Sequence, residues 1–219
     1  MATPALIYCA AGNPRFVRIA VDAGFLYGAQ LPDTVYPDIA PLWFADQNWK
    51  RPRRDAYMAR LAERRPTQAT VLDLEREEQL PEVLDWAEEA VQHVERVVII
   101  PKAFGIIDRI PARIAGADVV LGYSVPTKYA GTEVPVWEFG MRPVHLLGGS
   151  PPAQLRLAHY LNVVSADGNY ANLKATRFCE WWDGSRWQPT LRDNGEPWGH
   201  DAPYEAFRRS CESIMAGWA

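Results

Sequence analysis

The stretch RPVHLLGGSPPAQLRLAHYLNVVSADGNYAN, Arg142 to Asn172, holds two strand signals, a helix between them and two candidate site ends. Val144 to Leu147 is a short apolar run stopped by Gly148-Gly149. Ser150 then offers an N-cap, and Pro151 is the proline tolerated in a first helical turn. Leu155, Ala158 and Leu161 recur at helical spacing while Gln154, Arg156 and His159 fall on the other face, the pattern of a helix laid on a sheet. Val163 to Ala166 is the next strand and ends at Asp167-Gly168-Asn169. The unit is βαβ. Parallel α/β folds bind ligands beyond the carboxyl ends of their strands, so Gly148-Gly149 and Asp167 are expected side by side on the working face.

Outward from this unit the same rhythm repeats. Ala5 to Ala10, Phe25 to Ala29, Leu42 to Ala45, Ala69 to Leu72, Val97 to Ile100 and Val119 to Tyr123 read as six earlier strands. Helices are expected from about Phe16 to Ala20, over Pro52 to Arg65, over Leu80 to Val94 and over Ile106 to Ile114, the third being the clearest, with Val83, Leu84, Ala87, Ala90, Val91 and Val94 along one side. Pro32, Pro37 and Pro41 leave little room for a helix between the second and third strands. Ser124 to Met141 reads as an irregular insert. Eight parallel strands predict an α/β fold of the compact (β/α)8 TIM-like barrel kind over residues 1–177. A Trp-rich C-terminal extension, residues 178–219, would pack on it, its tryptophans capping an open barrel end or stacking bases. An open doubly wound sheet is the alternative, but no glycine-rich phosphate loop follows any strand.

With 219 residues, 48% of them hydrophobic and 23% charged, the chain suits one large core. Cys9, Cys179 and Cys211 are odd in number and widely spaced, and His93, His145, His159 and His200 do not complete a tetrahedral ligand pattern, so neither a disulfide framework nor a metal is expected. No cofactor is implied. No apolar run approaches the roughly 20 residues of a membrane span, and MATPALIYCAAG lacks a basic leader region, so a cytoplasmic location without membrane partners is expected. A net charge of -4 argues against non-specific coating of nucleic acid.

Three expected strands run into an aspartate: Asp46, Asp73 and Asp167. Any one alone reads equally as a turn former or helix cap. Gathered at one barrel mouth, they are costly unless they share protons, bind a cation or face a developing positive charge such as an oxocarbenium centre. Lys50-Arg51-Pro52-Arg53-Arg54 directly follows Asp46 and reads either as a solvated helix start or as a phosphate track. Lys102 and Lys128 lie on neighbouring mouth loops and offer the same choice. His145, in mid-strand, reads as a satisfied interior histidine.

The phrases GNPRFVRIAVDAGFLYG, VIIPKAFGIIDRIP, GYSVPTKYAGT, RPVHLLGGSP and NVVSADGNY, with the order Asp46, Asp73, Gly148-Gly149, Asp167, resemble the tRNA-guanine transglycosylase superfamily. More narrowly, they resemble the compact phage and bacterial branch that inserts 7-deazaguanines into DNA. The resemblance spans Ala5 to about Asn172. It implies a transglycosylase exchanging guanine in DNA for a free 7-deazaguanine base through a covalent Asp-glycosyl intermediate. It assigns Asp167 as nucleophile on the sugar's C1′ and Asp46 as the acid/base serving the departing and arriving bases. Asp73 would be the carboxylate reading the base's N–H edge, and Gly148-Gly149 the donors to its carbonyl oxygen. From their places beside the strand ends alone, and not from the resemblance, Lys102 and Lys128 are expected as further substrate contacts, and Lys50, Arg51, Arg53 and Arg54 as nucleic-acid contacts. The superfamily's Cys3His zinc spacing is missing here, which makes tRNA a less suitable substrate than DNA. The same acids would also serve a nucleoside or glycoside hydrolase, and a non-catalytic nucleic-acid-binding barrel is the reading from outside enzymology.

Overall fold

The computed structural model describes residues 3–10, 12–33, 35–127, 131–192, 194–196 and 198–219. Its centre is a closed barrel of eight parallel strands. These are β1 (Ala5–Cys9), β2 (Leu26–Leu31), β3 (Phe44–Gln47), β4 (Gln68–Leu74), β5 (Arg96–Pro101), β7 (Ala117–Ser124), β8 (Pro143–Leu147) and β9 (Asn162–Gly168). Each pairs in parallel with the next, β5 pairs directly with β7, and β9 closes on β1. The short strand β6 (Arg113–Ile114) lies antiparallel on β7 as the arm of a tight hairpin.

Alternation explains the closure. On β5, Val97 and Ile99 join the outer core beneath the helices, whereas Val98 and Ile100 join Ile7, Phe44 and Val120 inside the barrel. A strand buried on both faces gives the unbroken apolar run seen in its sequence. The interior is narrow enough that a side chain at Gly122 would come within 2.6 Å of Ile100, and one at Gly28 within 2.7 Å of Ile7. Glycine at these two places lets large neighbours fill the centre.

Helices α1 (Pro14–Asp22), α2 (Arg54–Arg64), α3 (Leu80–Ala90), α4 (Pro151–Ala158) and α5 (Tyr170–Phe178) cover the barrel. Tyr57, Met58 and Leu61 of α2 face inward as their spacing predicts; α3 buries Val83, Ala87 and Ala90 as read, and Trp86 besides. Among the described residues, three strand connections carry no α-helix. The expected helix over 106–114 is instead a 3-10 turn, Ile107–Arg109, followed by β6, because Pro111 breaks the segment and Ala115-Gly116 takes the left-handed backbone of a tight turn. Among the described residues of the insert Ser124 to Met141, the helical turn is another 3-10 one, Val136–Phe139.

The hairpin β10 (Glu180–Trp182) and β11 (Trp187–Pro189) and the helix α6 (Ala202–Trp218) pack on the barrel's flank, α6 lying against α1 and α5. Phe207 of α6 meets Tyr8 at 5.0 Å and Phe16 at 5.3 Å between ring centroids, and Trp182 packs on Trp187 at 5.5 Å. Phe207 thereby covers the outward-facing Tyr8 of β1, while the tryptophan-bearing hairpin packs on α5 and α6. Among the described residues, no helix is long and apolar enough to cross a membrane.

Candidate active site

Each of the three aspartates lies inside its strand rather than just beyond it, because the ladder extends one or two residues past the apolar run. Register brings them to one mouth: Asp46 lies beside Gln30 of β2, Asp73 beside Ile100 of β5, and Asp167 between Ile7 of β1 and Leu147 of β8. Asp46 and Asp167 line two adjoining cavities, one of about 220 Å³ that also holds Asp73, Lys102 and Trp49, the other of about 250 Å³ that holds Cys9, Gln30 and Asn169. The two carboxylates and Gly148 are common to both, so they form the divide of a two-lobed mouth.

Asp46 is held from both sides. The Thr70 hydroxyl donates to Oδ1 at 3.0 Å and the Gln30 amide approaches Oδ2 at 3.4 Å. Thr70 in turn accepts the N–H of Gln47 at 2.7 Å, which fixes its hydroxyl for this task. Burial, reinforced by the negative charge of Asp167 and opposed by the two hydrogen bonds, raises the Asp46 pKa to about 7. A carboxyl group poised there can both give and take a proton near neutrality. Cys9 stands next to the pair, but burial and the two carboxylates push its thiol well above the usual range, so it remains a neutral thiol and no nucleophile.

Asp167 is positioned by groups that the sequence reading placed elsewhere. The Gly148 N–H donates to its Oδ1 at 3.2 Å, so this donor, expected to serve a base carbonyl, serves the carboxylate instead. Gly149 borders neither lobe; it lies behind the mouth, where an added side chain would strike Val125 at 2.6 Å. Gln154, expected on the solvent face of α4, is buried and donates to the carbonyls of Gly148 at 2.8 Å and of Asp167 at 2.7 Å. Helical spacing could not reveal this, since an amide turned inward to tie two strand ends looks like any polar residue on an outer face. Gln154→Ala is expected to destabilise the fold by about 1–3 kcal/mol through the two carbonyls left unpaired, as read by denaturant unfolding. An unchanged midpoint would assign the bonds to the surface.

Below Asp167 lies a buried polar layer. His145 is fully buried, its Nδ1 2.8 Å from the Ser165 hydroxyl and 3.3 Å from the Gln68 amide, while its Nε2 lies 3.3 Å from Asp167 Oδ1, close but off hydrogen-bond geometry. Phe44 packs on the ring at 4.7 Å. His145 is thus an interior histidine, as its strand position predicts, and one that stands beneath the candidate nucleophile.

Asp73 is not an open carboxylate. Lys102 Nζ lies 2.5 Å from it, and both side chains are largely buried. Burial raises the Asp73 pKa even though the ammonium opposes the shift. Gln47, 3% exposed, borders the same lobe, and neither atom of its amide has a partner among the described residues. The sequence reading missed Gln47 and Trp49, which follow Asp46 at one and three residues; their signal was present only as adjacency to that acid.

The basic run divides. Arg54 is consumed by the helix layer, pairing with Asp85 at 2.5 Å and Glu89 at 2.7 Å on α3. It opens α2, and the acids of the neighbouring helix lie within its reach, so it is removed from the nucleic-acid set. Lys50, Arg51 and Arg53 are exposed, and neither arginine side chain has an ion-pair partner among the described residues. Lys50 Nζ lies 5.1 Å from the centre of the Trp49 ring at the mouth. Lys128 lies outside the described residues. Among those described, no cluster of three or more His, Cys, Asp or Glu is arranged to hold a metal ion.

The chain belongs to DUF6610, a family of unknown function, which matches residues 20–219. No curated protein and no solved structure matches it.

Proposed function

We propose that this member of the family is a glycosyl-transfer enzyme that exchanges guanine in DNA for a 7-deazaguanine. The observation that carries the reading is the pair of carboxylates on the divide of the two-lobed mouth, Asp46 with a pKa of about 7 and Asp167 anchored by the Gly148 N–H. A base would occupy the lobe with Asp73 and Lys102, and the sugar the lobe with Cys9 and Gln30. The motifs that resemble guanine transglycosylases supply the identity of the bases.

In the first half-reaction an Asp167 oxygen attacks C1′ while the bond to the guanine ring nitrogen breaks, and protonated Asp46 gives its proton to the leaving base. The result is a glycosyl ester on Asp167 and an Asp46 carboxylate. The incoming base then loses its ring proton to Asp46 and attacks C1′, expelling Asp167, so configuration is retained after two inversions. Asp73 accepts from the base's N–H edge once Lys102 yields part of its hold on that carboxylate. The target nucleotide has to leave the duplex stack or be single-stranded, since its C1′ must reach a recessed divide.

The test is incubation of the protein with guanine-containing single-stranded DNA and a labelled 7-deazaguanine, followed by nucleoside analysis. Label in the DNA matched by released guanine is the expected result. Released guanine without label would make water the acceptor and the protein a hydrolase, and no release would remove glycosyl transfer from DNA.

For the phosphate track the expectation is now confined to the uncommitted arginines. Arg51→Ala with Arg53→Ala should flatten the salt dependence of DNA binding by up to about 1.4 to 1.8 in slope, from about 0.7 to 0.9 for each phosphate that is no longer neutralised. Binding of the free base should be unaffected. An unchanged slope would assign both residues to solvent.

A further inference from the structure

We propose that Trp49 is the stacking wall of the base lobe, the residue that selects a flat heteroaromatic ligand; this rests on the functional reading above and adds a residue to it. The indole is 49% exposed although it borders a recessed cavity, an unusual disposition for the largest apolar side chain. Its position is defined by a turn: Asn48 Oδ1 accepts the N–H groups of Lys50 and Arg51, each at 3.2 Å, and the Asn48 carbonyl accepts the Arg51 N–H at 3.1 Å. An aromatic ring on a pinned turn costs little entropy to use as a contact surface.

Two ammonium groups stand near the ring, Lys50 at 5.1 Å and Lys102 at 5.2 Å from its centre. They are drawn by the ring's negative face, at distances where cation–π attraction operates. Lys102 also binds Asp73, so the ring and the polar reader of the lobe share one cation. A flat base sliding onto the indole would therefore meet a hydrogen-bonding edge made of Asp73 and Lys102. Face and edge together describe a ligand with a planar π-system and adjacent donor and acceptor groups, which a saturated sugar does not have.

The experiment is calorimetric titration of free guanine, free 7-deazaguanine and ribose into the wild-type protein, Trp49→Ala and Trp49→Phe, with exchange on DNA measured in parallel. Aromatic stacking against a base predicts a loss of about tenfold in affinity for both bases in Trp49→Ala, with recovery to within about threefold in Trp49→Phe. In exchange, KM for the incoming base should rise by a similar factor with kcat little changed, since the indole acts in binding. A half-exposed residue on a turn is removed without loss of fold, which thermal unfolding of the variant checks. Equal affinity in wild type and Trp49→Ala would overturn the proposal while leaving glycosyl transfer intact, and so would a wild-type protein that binds neither base. Trp49-dependent base binding with no exchange would uphold the stacking wall and remove the transfer chemistry instead.

Discussion

Asp167→Asn is expected to lower base exchange by a factor on the order of 10⁴ or more while leaving the protein folded. The asparagine oxygen can still accept the Gly148 N–H, and the Gln154 amide still reaches the backbone carbonyl, so the strand end keeps its shape. What disappears is the anionic oxygen proposed to form the ester with C1′, and no neighbour replaces it: Cys9 is held as a neutral thiol, and Asp46 is engaged by Thr70 and Gln30. A second signature accompanies the first. Asp167 is one of the charges that raise the Asp46 pKa, so neutralising it should shift Asp46 downward from about 7, although burial keeps it above an ordinary carboxylate. Nucleoside analysis reads the loss of exchange, and carboxyl titration by NMR reads the shift. Exchange within tenfold of wild type would place the covalent step on another residue.

Much of the barrel was legible because its determinants are local. An unbroken β-branched run such as Val97 to Ile100 can only be a strand covered on both faces, and the Gly148-Gly149 and Asp167 ends follow from strand polarity once the sheet is parallel. The acids could be placed on one mouth for the same reason. Their partners could not. Lys102 reaching Asp73, Gln154 turning inward across the ends of β8 and β9, and Arg54 bonding to α3 join residues 6 to 35 positions apart, and how helices dock on the barrel decides them. Arg54 illustrates the difficulty: in sequence it continues a basic run, and in space it is the nearest cation to Asp85 and Glu89. The segment 106–114 was misread because Ile106, Ile107 and Ile110 are apolar at a spacing that a helix and a buried 3-10 turn share, and Pro111 decides for the turn.

Asp46→Asn is expected to reduce exchange by about 10²–10⁴-fold, the usual contribution of a positioned acid or base. The amide keeps an acceptor for Thr70, so the variant tests proton transfer rather than packing. Its stability should carry a distinct pH signature. Asp46 has a native pKa of about 7 against 3.8 for the unperturbed group, so between these values the native state holds a proton that the unfolded chain has lost. The native state therefore binds more protons, and stability falls as pH rises through this window: the contribution of neutral Asp46 is fully present below about pH 4 and is lost by the time the pH has passed 7. The rise from 3.8 to about 7 corresponds to about 4 kcal/mol as an upper bound. Asparagine does not ionise, so relative to wild type the variant should gain stability steadily from about pH 4 to about pH 8, by up to that amount. Denaturant unfolding across this range measures the difference directly. A gap between variant and wild type that stays constant with pH would mean that Asp46 titrates as an ordinary carboxylate, and the proton-shuttling role would then have to pass to another group at the mouth.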